Sequence, residues 1–312
     1  MLLGRQRTRR QSAAAPARKR RRNGREYLLF LAFIAPNFAL LCVFTYWPMI
    51  SQFYISFTDW NFLSPKTFVG LGNYVTLFGS EEFRGVLINT VYFMGSVLAG
   101  SVVLGMALGL LLNQKLKGRN LVRSIVFAPY VVSGAAIGLV WSYIFDPSYG
   151  LLHALLKPLG IPSPDWLGTT TWAMPALIIV YMWKSLGFSA VIYLAALQNI
   201  SQDLYDAAKV DGANSWQTFR KVTLPQLSPA TFFVVVITMV QAFSYNAFDI
   251  ISVMTSGGPV NATTTLIWYI YEQGFRAFHV GLAAAASTIL FLILIAITAV
   301  QTFVTQRRVH YQ

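Results

Sequence analysis

The chain has 312 residues, of which 55% are hydrophobic and only 11% charged, and its mean hydropathy is +0.54. A water-soluble domain carries about 25% charged residues, so a single soluble core is excluded and lipid must solvate much of the surface. One cysteine, Cys42, rules out an intrachain disulfide, and three scattered histidines argue against a Cys/His metal site.

Taken from the start, residues 1–26 hold ten Lys or Arg, including Arg18-Lys19-Arg20-Arg21-Arg22, against the single acid Glu26. Ser12-Ala13-Ala14-Ala15-Pro16-Ala17 adds too little apolar surface for this tail to fold alone. A basic arm directly before a long apolar segment acts as a topology determinant at an anionic leaflet. The formal net charge of +13 therefore implies membrane lipid, and no nucleic acid, as the partner of the tail. The apolar run 27–50 is too long for the core of a secretory signal and lacks a small-residue cleavage site. It reads as a retained first span, with Cys42 as a small apolar packing residue.

A hydrocarbon core about 30 Å thick needs roughly 20 apolar helical residues. Six segments satisfy this: 27–50, 86–112, 121–145, 172–197, 229–248 and 280–305. Pro36, Pro129, Gly134, Gly138 and Gly187 fall inside them and are tolerated in a membrane bundle. Gly100, Gly105 and Gly109 in the second segment would let a neighbouring helix come close. Grouping residues 1–26, 113–123, 198–225 and 306–312 on one side collects nineteen of the 24 Lys and Arg, while seven of the eleven acids fall elsewhere. Positive charge stays inside, so an all-α fold with six spans and both termini in the cytoplasm is expected. The domain reading is a basic, disordered tail at 1–26 and one transmembrane domain at 27–312.

Two connections on the opposite side are rich in aromatics or turn formers. Residues 51–85 carry Trp60, Phe62, Phe68 and Tyr74 around Gly70-Leu71-Gly72-Asn73, and 146–171 carry Pro147, Gly150, Pro158, Gly160, Pro162 and Pro164. They read as ordered surface loops with short interfacial helices. Receiving a partner protein and capping the bundle both fit. No repeat at solenoid or propeller periods is evident.

Catalytic signatures are missing. No Gly-Lys dipeptide occurs, so there is no phosphate-binding loop, and His153, His279 and His310 stand far apart. The unusual segment is the connection 201–229. Ser201 precedes Gln202 and Asp203 as an N-cap with acid at the helix start. Ala207 and Ala208 permit close approach of another surface, and Gly212 ends the helix at positive φ. A second short helix over 216–222 aligns Trp216, Phe219 and Val222, and Pro225 and Pro229 mark the return to the membrane. A helix–turn–helix standing out of the bilayer and an ordinary structured loop both remain open on these grounds.

Asp206-Ala207-Ala208-x-x-Asp211-Gly212-Ala213, followed by Phe219 and Leu224-Pro225-x-x-x-Pro229, resembles the EAA loop of permease subunits of bacterial ABC importers. That resemblance implies the type I importer permease fold in the cytoplasmic (inner) membrane. It also implies that Asp206, Ala207, Ala208, Asp211, Gly212, Ala213 and Phe219 couple the spans to an ATP-binding subunit. Where the family usually shows Glu, Asp206 keeps the charge and shortens the reach. Phe68-Val69-Gly70-Leu71-Gly72-Asn73-Tyr74, Pro129-Tyr130 and Thr255-x-Gly257-Gly258-Pro259 look like the carbohydrate-importer branch. Residues 257–267 and Val309-His310-Tyr311-Gln312 are similar to the A-type permease of glycerol-3-phosphate and glycerophosphodiester importers.

The resemblance implies four kinds of partner: a second homologous permease, two ATP-binding subunits, an extracytoplasmic substrate-binding protein, and lipid. It implies no cofactor in this chain, ATP and Mg²⁺ being bound by the ATPase subunits, and no enzymatic activity of its own. Polar groups inside spans are functional candidates, which singles out Tyr181, Trp183, Lys184, Gln241, Tyr245 and Asn246, with Asp249, Asn89 and Tyr92 near outer ends. Lys184 beside Trp183 suits a phosphate-bearing polyol, while pairing with a helix carbonyl or a carboxylate to hold the bundle together is the other role open to it. A Trp-Lys pair is also found in sugar-importing relatives. Glycerol-3-phosphate or a glycerophosphodiester is the expected cargo, with a di- or oligosaccharide as the alternative. An ion-coupled secondary transporter and a membrane enzyme are the rivals from other classes; Lys184 as the only charged side chain well inside a span argues against the first.

Overall fold

The computed structural model describes residues 24–114, 117–243 and 245–308, apart from the side chains of 24–26, 245, 246, 302 and 304–308. The basic run at 1–23 and the closing residues 309–312 lie outside the described residues. The chain divides into two units, 1–51 and 52–312. The first holds α1 (Gly24–Leu41), a π turn over Cys42–Tyr46, and most of α2 (Trp47–Ile55). Pro36 sits inside α1 without ending it, and residues 27–55 form one apolar helix of 29 residues. At about 1.5 Å per residue this exceeds the hydrocarbon thickness.

The second unit opens with a short antiparallel pair, β1 (Thr58–Asp59) and β2 (Thr67–Phe68), in which Thr58 faces Phe68. Next come α3 (Gly72–Gly79) and the long α4 (Glu81–Asn113). Ser80 caps α4 by accepting the Phe83 N–H, and Glu81 and Glu82 complement the helix dipole. The chain continues through α5 (Arg119–Val131), α6 (Gly134–Ile144), α7 (Leu151–Leu156), α8 (Ala173–Gln198), α9 (Gln202–Val210), α10 (Ser215–Thr218), α11 (Leu224–Gln226), α12 (Ser228–Ala242), α13 (Tyr245–Met254), α14 (Leu266–Tyr271) and α15 (Val280–Arg308). Among the described residues four helices are long and apolar enough to cross a membrane, and two bent pairs raise the number to six.

The centre of this unit is the α4–α8 pair. Phe93, Val97, Ser101, Gly105 and Gly109 recur at helical spacing and are buried, as are Tyr181, Ser185, Ser189 and Tyr193 of α8. A Cβ on Gly105 would lie 2.7 Å from the Ser189 Cβ, and one on Gly109 2.8 Å from the Tyr193 Cβ. Glycine is thus required for this approach of backbones, as the sequence spacing predicts. Around it pack Leu177 and Val180 of α8, Ile137 of α6, Ile250 and Ile251 of α13, and Trp268 of α14.

Two of the expected spans are discontinuous. Residues 121–145 are not one helix: α5 and α6 meet at 102°. Val132 (φ −73°, ψ 144°) and Ser133 (φ −55°, ψ 139°) are extended, and Gly134 restarts the helix. The segment 229–248 is likewise in two pieces, α12 ending at Ala242 and α13 beginning at Tyr245. A hydropathy pattern sees only the apolar total across each break, and broken helices are tolerated where neighbouring side chains satisfy the freed backbone.

Beside the first turns of α4 and α15, Asn73 explains much of the Gly70–Tyr74 sequence. Its Nδ2 donates to the carbonyls of Ser56 and Thr58, both at 2.9 Å. The Trp60 carbonyl accepts the Val280 N–H at 2.9 Å, tying the strand pair to the start of α15. Any side chain at Gly281 would strike the Thr58 carbonyl.

Candidate coupling hairpin and intramembrane polar groups

The segment 201–229 folds as two short helices joined by a tight turn. Ser201 Oγ accepts the Asp203 N–H at 3.2 Å, as expected of an N-cap. At the other end of α9, Gly212 adopts φ +73°, the Gly212 N–H reaches the Lys209 carbonyl, and the Ala213 N–H reaches the Ala208 carbonyl at 2.9 Å. This is a left-handed stop that glycine adopts without steric cost. Asn214 then opens α10 with a reciprocal capping box: its Oδ1 accepts the Gln217 N–H, and the Gln217 Oε1 accepts the Asn214 N–H, each at 2.9 Å. Asn214 and Gln217 were not singled out from sequence, although the Asn-x-x-Gln spacing carries the signal.

The second helix widens through a π turn at Phe219–Thr223, and Trp216 stacks on Phe219 with centroids 5.7 Å apart. The run Ser215–Gln226 bends by 60° into α12, with Pro225 and Pro229 flanking the corner. Ala207, Asp211 and Gly212 are exposed, Ala213 is half-buried and Ala208 is buried. All five border an open hollow of about 460 Å³ between the two helices, with Lys221 on its far wall. The Asp206 carboxylate points elsewhere along α9, accepting from Lys209 Nζ at 2.9 Å and Gln202 Nε2 at 3.3 Å. The bond from Lys209, helped by that from Gln202, holds its pKa below the ordinary carboxylate value. The hairpin is also fastened to the spans. Tyr193 Oη on α8 donates to Thr231 Oγ1 on α12 at 3.2 Å, and the Thr231 hydroxyl bonds the Leu227 carbonyl at 3.0 Å.

The described polar groups expected along a pathway are engaged locally, Lys184 and Asn89 by backbone carbonyls and Tyr181 and Trp183 by aromatic rings. Lys184 is 3% exposed, and its ammonium donates to the carbonyls of Pro129, Tyr130 and Val132 at 3.4, 3.0 and 2.6 Å. It thereby satisfies the backbone freed by the α5–α6 break, the carbonyl-pairing role left open above. Tyr181 is buried, its ring edge-on to Phe93 at 5.4 Å. Trp183 is exposed on one side and packs edge-on against Trp141 at 5.5 Å. Asn89 Nδ2 donates to the Asn261 and Thr264 carbonyls at 2.9 and 3.2 Å, anchoring the 257–265 loop to α4. Asp249 is half-buried on α13, and the side chains of Tyr245 and Asn246 lie outside the described residues. Gln241, one of the polar groups expected inside a span, meets Tyr130: its Nε2 donates to Tyr130 Oη at 2.8 Å, and the Tyr130 ring stacks on Phe188 at 4.7 Å, contacts between residues far apart in sequence.

Four to six apolar spans carrying a helical hairpin define an integral membrane protein. Residues 101–310 match the family described as binding-protein-dependent transport system inner membrane component, and the chain belongs to that family. It is 35% identical over 289 residues to the probable starch degradation products transport system permease protein AmyD of Thermoanaerobacterium thermosulfurigenes, covering 92% of this chain and 96% of that one. It is 34% identical over 287 residues to the sn-glycerol-3-phosphate transport system permease protein UgpA of Yersinia pestis, covering 92% and 95%. In three dimensions it resembles a chain of a bacterial alginate ABC transporter solved with its pentasaccharide-bound periplasmic protein (TM-score 0.79, 27% identity, 91% and 96% covered). The chain is therefore a non-catalytic, inner-membrane permease subunit of a binding-protein-dependent ABC importer, working with a substrate-binding protein and an ATPase.

Proposed function

We propose that this permease crosses the membrane six times, with both termini and the hairpin over 201–229 on the cytoplasmic side. It pairs with a second homologous permease, and two ATPase subunits, which bind ATP and Mg²⁺, dock beneath the pair. The observation that carries this reading is the hairpin itself: α9 and α10 form a self-capped unit that exposes Ala207, Asp211 and Gly212 and runs on through a 60° bend into α12. When the ATPases close, a hairpin stiffened by its Gly212 stop and Asn214–Gln217 box moves as a body. Its motion reaches α8 through residues 198–202 and α12 through the corner at Pro225–Pro229. The Tyr193–Thr231 bond keeps those two spans together. A cysteine at Ala207 or Ala213 is expected to cross-link to the ATPase subunit in the assembled complex; labelling only by water-soluble reagents, with no cross-link, would remove the basis of this assignment.

For the cargo we infer a carbohydrate. Lys184 was the one intramembrane cation able to neutralise a phosphate, and all of its bonds go to backbone carbonyls. AmyD is named for starch degradation products and the alginate system for a polysaccharide, which supports the same reading. Glycerol-3-phosphate or a glycerophosphodiester is the second reading, favoured by the similarity to UgpA. Calorimetry on the cognate binding protein decides between them: affinity for an oligosaccharide supports the first, and affinity only for glycerol phosphates overturns it.

A further inference from the structure

The strand pair and α3 are absorbed by neither the coupling hairpin nor the intramembrane groups. Helix α3 is apolar on two faces. Leu77 is buried and Tyr74 half-buried, the latter sharing a 2.7 Å hydroxyl contact with Ser56. On the other side Leu71, Val75 and Phe78, at i, i+4 and i+7, are 64%, 71% and 61% exposed, and Phe68 is exposed just before them.

The height of this stripe is fixed by its attachments. Asn73 is held level with Gly281, the second residue of α15, since a Cβ there would lie 3.0 Å from Asn73 Nδ2. Phe78 packs edge-on at 6.0 Å against Phe83, the third residue of α4. Helix α3 therefore lies beside the first turns of two apolar helices, where chain passes between water and hydrocarbon. Residues 67–80 contain no charged side chain, and the flanking Lys66 sits with its ammonium 4.2 Å from the Trp60 ring centroid. An uncharged apolar stripe, bordered by an aromatic–Lys pair at the end of a span, matches the headgroup–acyl boundary.

We propose that α3 is an interfacial helix, with Leu71, Val75 and Phe78, together with Phe68, inserted into the outer edge of the bilayer. It rests on the first turns of α4 and α15 through Asn73 and Phe78. The test is depth-dependent quenching on the full transporter in nanodiscs. Val75→Cys in a Cys42→Ser background, with cysteine-free partners, is labelled with bimane. Phosphatidylcholine brominated near the glycerol end of its acyl chains is expected to lower the fluorescence about twofold while aqueous iodide has little effect. Quenching by iodide alone would put the stripe in water and overturn the proposal. Protection from both quenchers would mean a protein covers it and would also overturn it. Leu71→Cys supplies a second label position should the first variant fail to assemble.

Discussion

The Lys184 ammonium lies 2.6 Å from the Val132 carbonyl oxygen, across a gap between two helices that meet at 102°. This joins a residue in the middle of α8 to the break in the preceding span. A buried ammonium costs several kcal/mol in desolvation, and each buried carbonyl left without a donor costs about 1–3 kcal/mol. The two problems offset each other at one point.

Replacing Lys184 follows from that balance. Lys184→Met relieves the ammonium but abandons three carbonyls, for a net loss of about 1–4 kcal/mol, seen as a lower unfolding temperature of the purified complex. Lys184→Glu sets a carboxylate against the same carbonyls and is expected to prevent assembly. Were Lys184 instead a cargo ligand, Lys184→Met would keep the thermal stability and raise the KM for uptake.

The glycine stripe gives an ordered series within one helix. At Gly95 nothing lies within 4 Å of an added Cβ, so Gly95→Ala is neutral or slightly stabilising. At Gly100 the obstacle is the flexible thioether of Met182, and the cost is small. At Gly109 the added carbon meets Tyr193 Cβ at 2.8 Å and the Ala190 carbonyl at 3.1 Å. Gly109→Ala is therefore the most damaging, by about 1–3 kcal/mol. Thermal unfolding of the three variants checks the order.

Asp206 separates local from partner roles. Its carboxylate is more than half exposed, so the bond to Lys209 adds little to stability. A pKa lowered in the folded chain means that what stabilisation exists is present above the unfolded value and lost as pH falls through the folded one. Asp206 therefore stays ionised at neutral pH, and uptake should show no titration from it there. Asp206→Asn is expected to leave unfolding unchanged; a drop in uptake at constant stability identifies a contact with the ATPase.

How much of this could be read from the chain differs by element. Ser201, Gly212 and the Gly100–Gly109 spacing announced their roles because caps, positive φ and close helix approach depend on local residue type. The breaks at 132–133 and after Ala242 escaped because apolar content is summed across a span regardless of direction. The use of Lys184 could not be decided, since the carbonyls it holds are more than fifty residues earlier in sequence. Asn89 looked like a pathway residue for the same reason: its partners at 261 and 264 meet it only in the fold.

The central claim is that the hairpin over 201–229 transmits ATP-driven closure to the spans. Gly212 holds φ +73° and donates its N–H to the Lys209 carbonyl, so proline there loses both. The measurement is ATP hydrolysis together with substrate uptake by Gly212→Pro in the reconstituted complex. Assembly is expected to persist while uptake falls about tenfold or more and hydrolysis no longer responds to the loaded binding protein. Unchanged uptake in a normally assembled complex would contradict the coupling role of this turn.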